Sequence, residues 1–480
     1  MFFNSHLFIF LFMPISILLY FLFNKLDSKF GKIFLLICSL AFYIPAGKIA
    51  LLTLFLSCIV NLIVSNLILN YRNKKMFLTI GIILNVMVLF IVKYLNFFID
   101  NINKFFTLEI GTLNLILPLG ISFITFQQIM YIVETYRQNE KISSTFDYFL
   151  YAFYFPKIIM GPLVGPDELI NKFNDKTLKK VNLDNIASGF ALFSFGLFKK
   201  VVLADTFVKA VSWGFSNLTT ASSIDLIIVA LSYTFQIYFD FSGYSDMSRG
   251  VSRMLNIELP INFDSPYKSI SIVDFWKRWH ISLTKFMTKY IYFPLGGSRK
   301  GKFKTYRNII IVFLVSGFWH GANWTYILWG LLNGLLSVTN RVFSKTGEKI
   351  HSGIKWLANF IVINVLWLLF RANSIREWAY MLKKIFMDFN FNTSTELLNN
   401  FKLVEFNFIF RVLRLYRFSE TIPYFNMAVI FISSFIICLA MKNNNHRKNA
   451  TLFSSIVVSI AFVWGVLSLT SESHFIYNNF

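Results

Sequence analysis

FWKRWHISLTKFMTKYIYFPLGGSRKGKFKTYRNIIIVFLVSGFWHGANW, residues Phe275–Trp324, holds two of the chain's six histidines, His280 and His320, each directly after a tryptophan. Between Lys277 and Arg307 it carries nine Lys or Arg and no Asp or Glu. Ile309 to Trp319 is almost entirely apolar and leads into His320, which Gly321, Ala322 and Asn323 follow. An ionisable side chain at membrane depth is costly and therefore points to function. Small residues beside it permit close backbone approach or a break in the helix. A neutral imidazole in such a place can accept a proton from a hydroxyl; a buried, hydrogen-bonded core histidine satisfies the same pattern. Upstream, Trp276, Trp279, His280, Leu283, Phe286, Met287 and Tyr290 recur at three- and four-residue spacing. That spacing predicts one helix with an aromatic face, lying at the cytoplasmic interface ahead of a basic loop. Lipid anchoring accounts for such a helix, and the loop can in addition receive the phosphates of an anionic donor.

The rest of the chain sets this stretch in a membrane. Of 480 residues, 56% are hydrophobic, 19% aromatic and only 15% charged, against about 25% charged in an average soluble protein. Mean hydropathy is +0.58. Apolar runs continue end to end without a linker, which predicts one integral membrane domain over residues 1–480 and an all-α polytopic fold. The net charge of +22 sits between the apolar runs, where cytoplasmic loops collect Lys and Arg, and no nucleic-acid-binding signature accompanies it. Cys38, Cys58 and Cys438 lie inside apolar runs without CxxC spacing, so they read as small buried residues.

His6 to Phe23 is the first run, with no Lys or Arg before Lys25, and is expected to be a retained helix with its start outside. Ile33–Ile44, short enough to tilt or re-enter, and Ile49–Leu69 follow, separated by Pro45-Ala46-Gly47. Arg72, Lys74 and Lys75 mark the next inside loop. Met76–Phe98 returns outward to a polar loop over 100–116. Further spans are expected at Leu117–Val133, Phe146–Met160, Ile186–Leu203 with Lys199-Lys200 near its end, and Ile224–Phe241. Lys172–Lys180 reads as an inside loop. Beyond the central stretch, spans fall at 324–338, 356–370, 425–441 and 451–469, and Ser374–Phe389 has the one-sided charge of an interfacial helix. The expectation is about eleven or twelve crossing or re-entrant helices.

A third polar island, Ser232–Arg253, interrupts an apolar helix. Asp240 and Asp246 there can orient a histidine or fix the helix against Arg249 and Arg253, and Gln236, Tyr238 and Tyr244 offer hydrogen bonds to a polar substrate. A structural network between helices fits each of them equally. The chain holds no GxSxG elbow, P-loop or HExxH, and no metal ligand set.

Together these islands resemble the MBOAT (membrane-bound O-acyltransferase) superfamily, in its bacterial alginate O-acetyltransferase-like branch. The resemblance runs through FNSHLFIFLFMPISILLYF at 3–21, LPLGISFITFQQIMYIVETYR at 117–137, FPKIIMGPLVGPDEL at 155–169 and SYTFQIYFDFSGYSDMSRGVSRMLNIELPINFDSPY at 232–267. It ends in FWKRWHISL, IYFPLGGSRKG and GFWHGANWTYILWG. The core 117–335 matches best, and 371–480 only in character. The resemblance implies a ring of helices around a central tunnel, with His320 as catalytic histidine and His280 as a second motif histidine supporting the site. It also implies a thioester donor, acetyl-CoA or another acetyl thioester, with no bound cofactor, and an exported glycan as acceptor. An extracytoplasmic acetyltransferase- or esterase-like partner protein and residence in the inner (cytoplasmic) membrane follow from the same likeness. Asp240, Asp246, Gln236, Tyr244, Trp279 and Asn323 are secondary candidates for binding or orienting substrate. Within the family, D-alanyl transfer to teichoic acid is the alternative, and the PLGGSRKG loop favours the alginate-type branch. Outside it, a flippase for an acyl carrier or glycan would explain polar islands and broken helices without chemistry, and a non-catalytic scaffold would make His320 dispensable.

Overall fold

Apolar chain in a lipid medium must satisfy its backbone polar groups internally, and the structure does so with helices alone. The computed structural model describes residues 1–113, 115, 117–344, 349–403, 412, 421–441 and 452–469, and no strand occurs among them. In chain order the helices that matter here are α1 Phe8–Leu26, α2 Ser28–Ala46, α3 Lys48–Asn70 and α4 Lys74–Phe106. Then follow α5 Ile121–Gln138, α6 Thr145–Phe153 and α7 Pro166–Asn174, α8 Leu183–Ser216 and α9 Ser223–Met254. The central stretch builds α10 Ile272–Arg278, α11 Ile281–Met287, α12 Lys302–His320 and α13 Trp324–Val342. Last come α14 Ser352–Arg371, α15 Ile375–Met387, α16 Ile422–Ala440 and α17 Leu452–Leu467. Eight of the described helices are long and apolar enough to cross a membrane: α1 to α4, α8, α9, α14 and α16. The chain is a multi-pass, all-α membrane protein.

Several expectations shift. α2 starts at Ser28, where Asp27 accepts the Lys29 N–H as a cap, and so attains 19 residues and membrane length; Ile33–Ile44 is not a short re-entrant piece. α4 runs on to Phe106, into the expected polar loop, because Asp100 and Lys104 fit a helical surface. Phe146–Met160 does not cross as one span: α6 is only nine residues and yields to turns ahead of Pro156. Lys172–Lys180, expected as an inside loop, holds the end of α7 and a short 3₁₀ turn and belongs to no membrane-length helix. Ser374–Phe389 does contain an amphipathic helix, α15, with Ser374 accepting from the Glu377 N–H and Glu377 accepting in return from Asn373, close to a capping box. The expected end of the last span, 451–469, lies partly outside the described residues. All three cysteines are free and buried.

The chain folds as two compact units. One comprises residues 1–196 and 244–261 of the described chain, the other 197–243 and 262 onward. In the first, α1 and α2 form an antiparallel pair and α3, α4 and α5 pack together. Lys157, fully buried, donates to Gln127 and lies 4.1 Å from the centroid of the Tyr151 ring. In the second unit, Lys200 is buried inside α8 rather than at its end. Its Nζ lies 2.8 Å from Asp205 and 2.7 Å from Asp240, so the charge is paired, as burial demands. The helix opens into a π-helical turn over Lys199–Ala204 to bring these groups together.

Candidate active site

The site begins with a helix that should not have stopped. The apolar spacing of 275–290 continues past residue 280, yet α10 ends at Arg278 and α11 begins at Ile281. The reason is tertiary. Asn262 accepts the Ile281 N–H on its carbonyl (3.0 Å) and the Ser282 N–H on its side-chain oxygen (3.2 Å). The Arg278 carbonyl is taken by the Asp264 N–H at 3.0 Å. Those groups would otherwise close the turns of one continuous helix. Trp279 becomes extended and His280 adopts φ 45°, ψ 54°, the left-handed region, which costs a non-glycine residue about 1–2 kcal/mol. Strain of this kind persists only where the surroundings dictate it, and it gathers at functional sites.

His280 is 2% exposed, its ring 4.7 Å from Phe241 and 6.4 Å from Trp319. It lies outside the eight membrane-length helices. Burial among these rings pushes its imidazole down to about 3, so it is neutral throughout the physiological range. Trp279 stacks on Phe275 at 5.5 Å and leans on Trp367 at 4.9 Å, so its aromatic mass is spent on holding the bend.

His320 is reached differently. α12 ends on it, Gly321 is extended, and Asn323 starts α13 by accepting the Thr325 N–H at 3.0 Å. The hairpin is tight because Gly317 and Gly330 face it: a Cβ on Gly317 would stand 2.3 Å from the Tyr326 carbonyl oxygen, and one on Gly330 2.4 Å from that of Phe313. His320 is 5% exposed and ringed by Trp319 (4.8 Å), Phe370 (5.0 Å) and Trp329 (5.5 Å). The last two rings stand nearly perpendicular to it, at 79° and 88°. The imidazole is held as a plate between edges and faces, which fixes its direction.

Both histidines line one cavity of about 520 Å³. Along α12 its wall runs from His320 through Ser316 to Ile309, about 16 Å at 1.5 Å per residue. Toward that other end, α13 presents Ser337, Asn340 and Arg341, with Ser344 just beyond it; Lys277, on α10 three residues before His280, lines the cavity as well. No Asp or Glu is among the residues lining it. The arrangement is a slot with an aromatic-walled imidazole at one end and a cation, Arg341, on hydroxyl- and amide-bearing walls at the other.

The remaining candidates divide. Asp240 pairs with Lys200, while Arg249 and Arg253 pair with Glu258 at 3.0 and 2.7 Å, and Asp246 lies close enough to Arg253 to act on its charge. Gln236 is buried in the same unit as the histidines, but does not line their cavity. Tyr244 and Asp246 belong to the first unit, where Tyr244 lies against the Phe3 ring at 5.1 Å. Asn323 caps α13 and donates to the Asn373 carbonyl at 3.0 Å, so it shapes the loop after His320. Sequence reasoning missed Arg341 and the aromatic plates Trp329 and Phe370. The polar residues 337, 340, 341 and 344 recur at helical spacing at the end of an otherwise apolar helix, a signal that would have exposed Arg341.

Residues 78–376 match the family described as MBOAT, membrane-bound O-acyltransferase. The chain belongs to this family and is an acyltransferase. Among its relatives, the peptidoglycan O-acetyltransferase of Helicobacter pylori is 37% identical, the match covering 100% of this chain and 97% of the relative. The probable alginate O-acetylase AlgI of Pseudomonas aeruginosa is 35% identical over 80% of this chain and 75% of its own length. A teichoic acid D-alanyltransferase of Streptococcus thermophilus is 29% identical over 51% of this chain and 62% of its own.

Proposed function

We propose that this chain takes an acetyl group from a cytoplasmic thioester, acetyl-CoA or a carrier-bound equivalent, and passes it to hydroxyls of an exported glycan from the cytoplasmic membrane. The observation that carries the reading is the slot: a deep imidazole with a cation, Arg341, about one pantetheine arm away. A thioester donor has a reactive carbonyl at one end of a thin amide-rich arm and phosphate at the other. Arg341 suits the phosphate, Ser337 and Asn340 the amides, and His320 the carbonyl end, while Lys277 adds positive charge to the wall.

In this reading His320 takes the proton of the accepting hydroxyl as its oxygen attacks the thioester carbonyl. The C–S bond breaks, the acetyl leaves on oxygen, and the thiolate departs with the proton returned from the imidazole. His280, neutral, positions the donor from the strained bend. The loop charges favour the inside for residues near Lys302 and Arg341, which assigns the donor to the cytoplasmic end. His320, at the other end of α12, then faces an acceptor from outside. An extracytoplasmic acetyltransferase- or esterase-like partner completes the transfer. Peptidoglycan is the favoured acceptor, because the peptidoglycan-acetylating relative aligns over the whole chain while the alginate relative covers 80% of it.

The test is thiol release. Purified protein in nanodiscs, given acetyl-CoA with water or a soluble glycan fragment as the accepting hydroxyl in place of the partner, is expected to liberate free CoA, and His320→Ala is expected not to. A flippase for the carrier would release none in either form, and that result would overturn the reading.

A further inference from the structure

A second concave space, of about 630 Å³, lies in the first unit where the α3–α4 turn meets the end of α5. Arg72, Lys74, Lys75 and Arg137 line it, with Tyr136 and Asn139, and no carboxylate is among its lining residues. The grouping is a product of the fold, since Lys74 and Asn139, 65 positions apart, hydrogen-bond to each other. A cytoplasmic basic loop alone would explain the charges but not their convergence. Elsewhere in this unit such a charge is already spent: Lys32 sits 2.7 Å from Asp147. Arg137 has Glu134 at 3.2 Å, but among the described residues no carboxylate pairs with Arg72, Lys74 or Lys75. No side chain caps the first turn of α4, so the positive end of that helix adds to the field.

The neighbourhood says what kind of anion fits. α4 is the least buried of the eight membrane-length helices, with 17% of its apolar window inside the protein. Met76, Ile80, Ile83 and Met87 are exposed along it, and Tyr71 is exposed at the turn. A ligand with a phosphate head and hydrocarbon chains uses both the cationic hollow and this apolar flank, whereas free phosphate uses only the first.

We infer that this hollow binds the phosphate of an anionic phospholipid headgroup, its acyl chains lying along the exposed face of α4. The site is separate from the histidine cavity and does not depend on the acyl-transfer reading. The test titrates the full-length protein, in detergent, with phosphatidylglycerol, phosphatidylcholine and inorganic phosphate, followed by native mass spectrometry. Each basic residue near a membrane surface is worth about fivefold in anionic-lipid affinity. Arg72→Gln and Lys75→Gln are therefore each expected to weaken phosphatidylglycerol binding about fivefold, and the double variant by about 25-fold. Arg72 and Lys75 are both exposed, and the single variants decide the matter if the double variant expresses poorly. Lys302→Gln with Lys304→Gln, a different basic cluster, is expected to leave binding unchanged. Equal binding of phosphatidylglycerol by wild type and variants, or equal binding of phosphatidylcholine, overturns the inference. Displacement of the lipid by millimolar inorganic phosphate overturns it too, in favour of a free-anion site.

Discussion

The two Trp-His dipeptides end helices in opposite ways. At His320 the break is local: glycine follows, then an asparagine that caps the next helix. At His280 nothing nearby asks for a break. A distant loop residue, Asn262, captures the N–H groups that would have continued the helix, and the histidine itself takes the left-handed conformation. One histidine is thus presented by its own sequence, and the other is forced into place by the fold. The first can be moved with its motif; the second depends on the loop that bends it.

The sharpest separation of chemistry from shape comes at the histidines themselves. His320→Ala should cut thiol release by about 10²–10⁴-fold, the usual loss of a positioned base, with unchanged membrane insertion. Retention of more than a tenth of the rate would mean another group takes the proton. His280→Asn keeps a side chain that tolerates the left-handed backbone but removes the ring. A smaller loss, about tenfold, with an intact thermal midpoint, would mark His280 as a positioning residue; a loss as large as that of His320→Ala would make the two equivalent and break the contrast.

Next in size is the donor end. Neutralising Arg341 to Gln should raise KM for acetyl-CoA about tenfold, in keeping with about 1.5–3 kcal/mol for a charge-assisted hydrogen bond, and leave kcat nearly unchanged. A fall in kcat at constant KM would place this cation at the reacting end instead. Gly317→Ala probes the hairpin: its Cβ must displace the Tyr326 carbonyl, at about 1–3 kcal/mol, and the thermal midpoint should drop.

The pH response is the mildest of these. His280's imidazole is pushed down to about 3 in the folded protein from about 6.5 unfolded. The folded state therefore binds fewer protons. The associated stability is full above pH 6.5 and is lost as pH falls from there toward 3, at about 1.4 kcal/mol per pH unit. Thermal midpoints measured between pH 7 and 5 should decline, and His280→Asn should flatten that decline.

Much of this was legible in the sequence, for a physical reason. Lipid leaves few ways to satisfy a backbone, so long apolar runs foretell helices, and Gly321 with Asn323 foretells the break after His320. What stayed hidden depended on partners far along the chain. Asn262 breaks a fully periodic helix. Lys200 looks like a terminal charge until Asp240, 40 residues on, is seen pairing with it inside the fold. Periodicity reports a helix face, and cannot say which carbonyl a remote loop will claim. The secondary candidates show the same limit: Asp240 and Asn323 were marked as polar residues in apolar surroundings, and the structure spends them on an ion pair and a cap.

Whether His320 carries the acyl transfer is decided in the cell by replacing the chromosomal copy with His320→Ala and measuring O-acetyl groups on the exported glycans, peptidoglycan among them, by chromatography of their fragments. Those groups should be lost while the variant is present in the membrane at wild-type level. Unchanged acetylation in that strain would contradict the role given to His320.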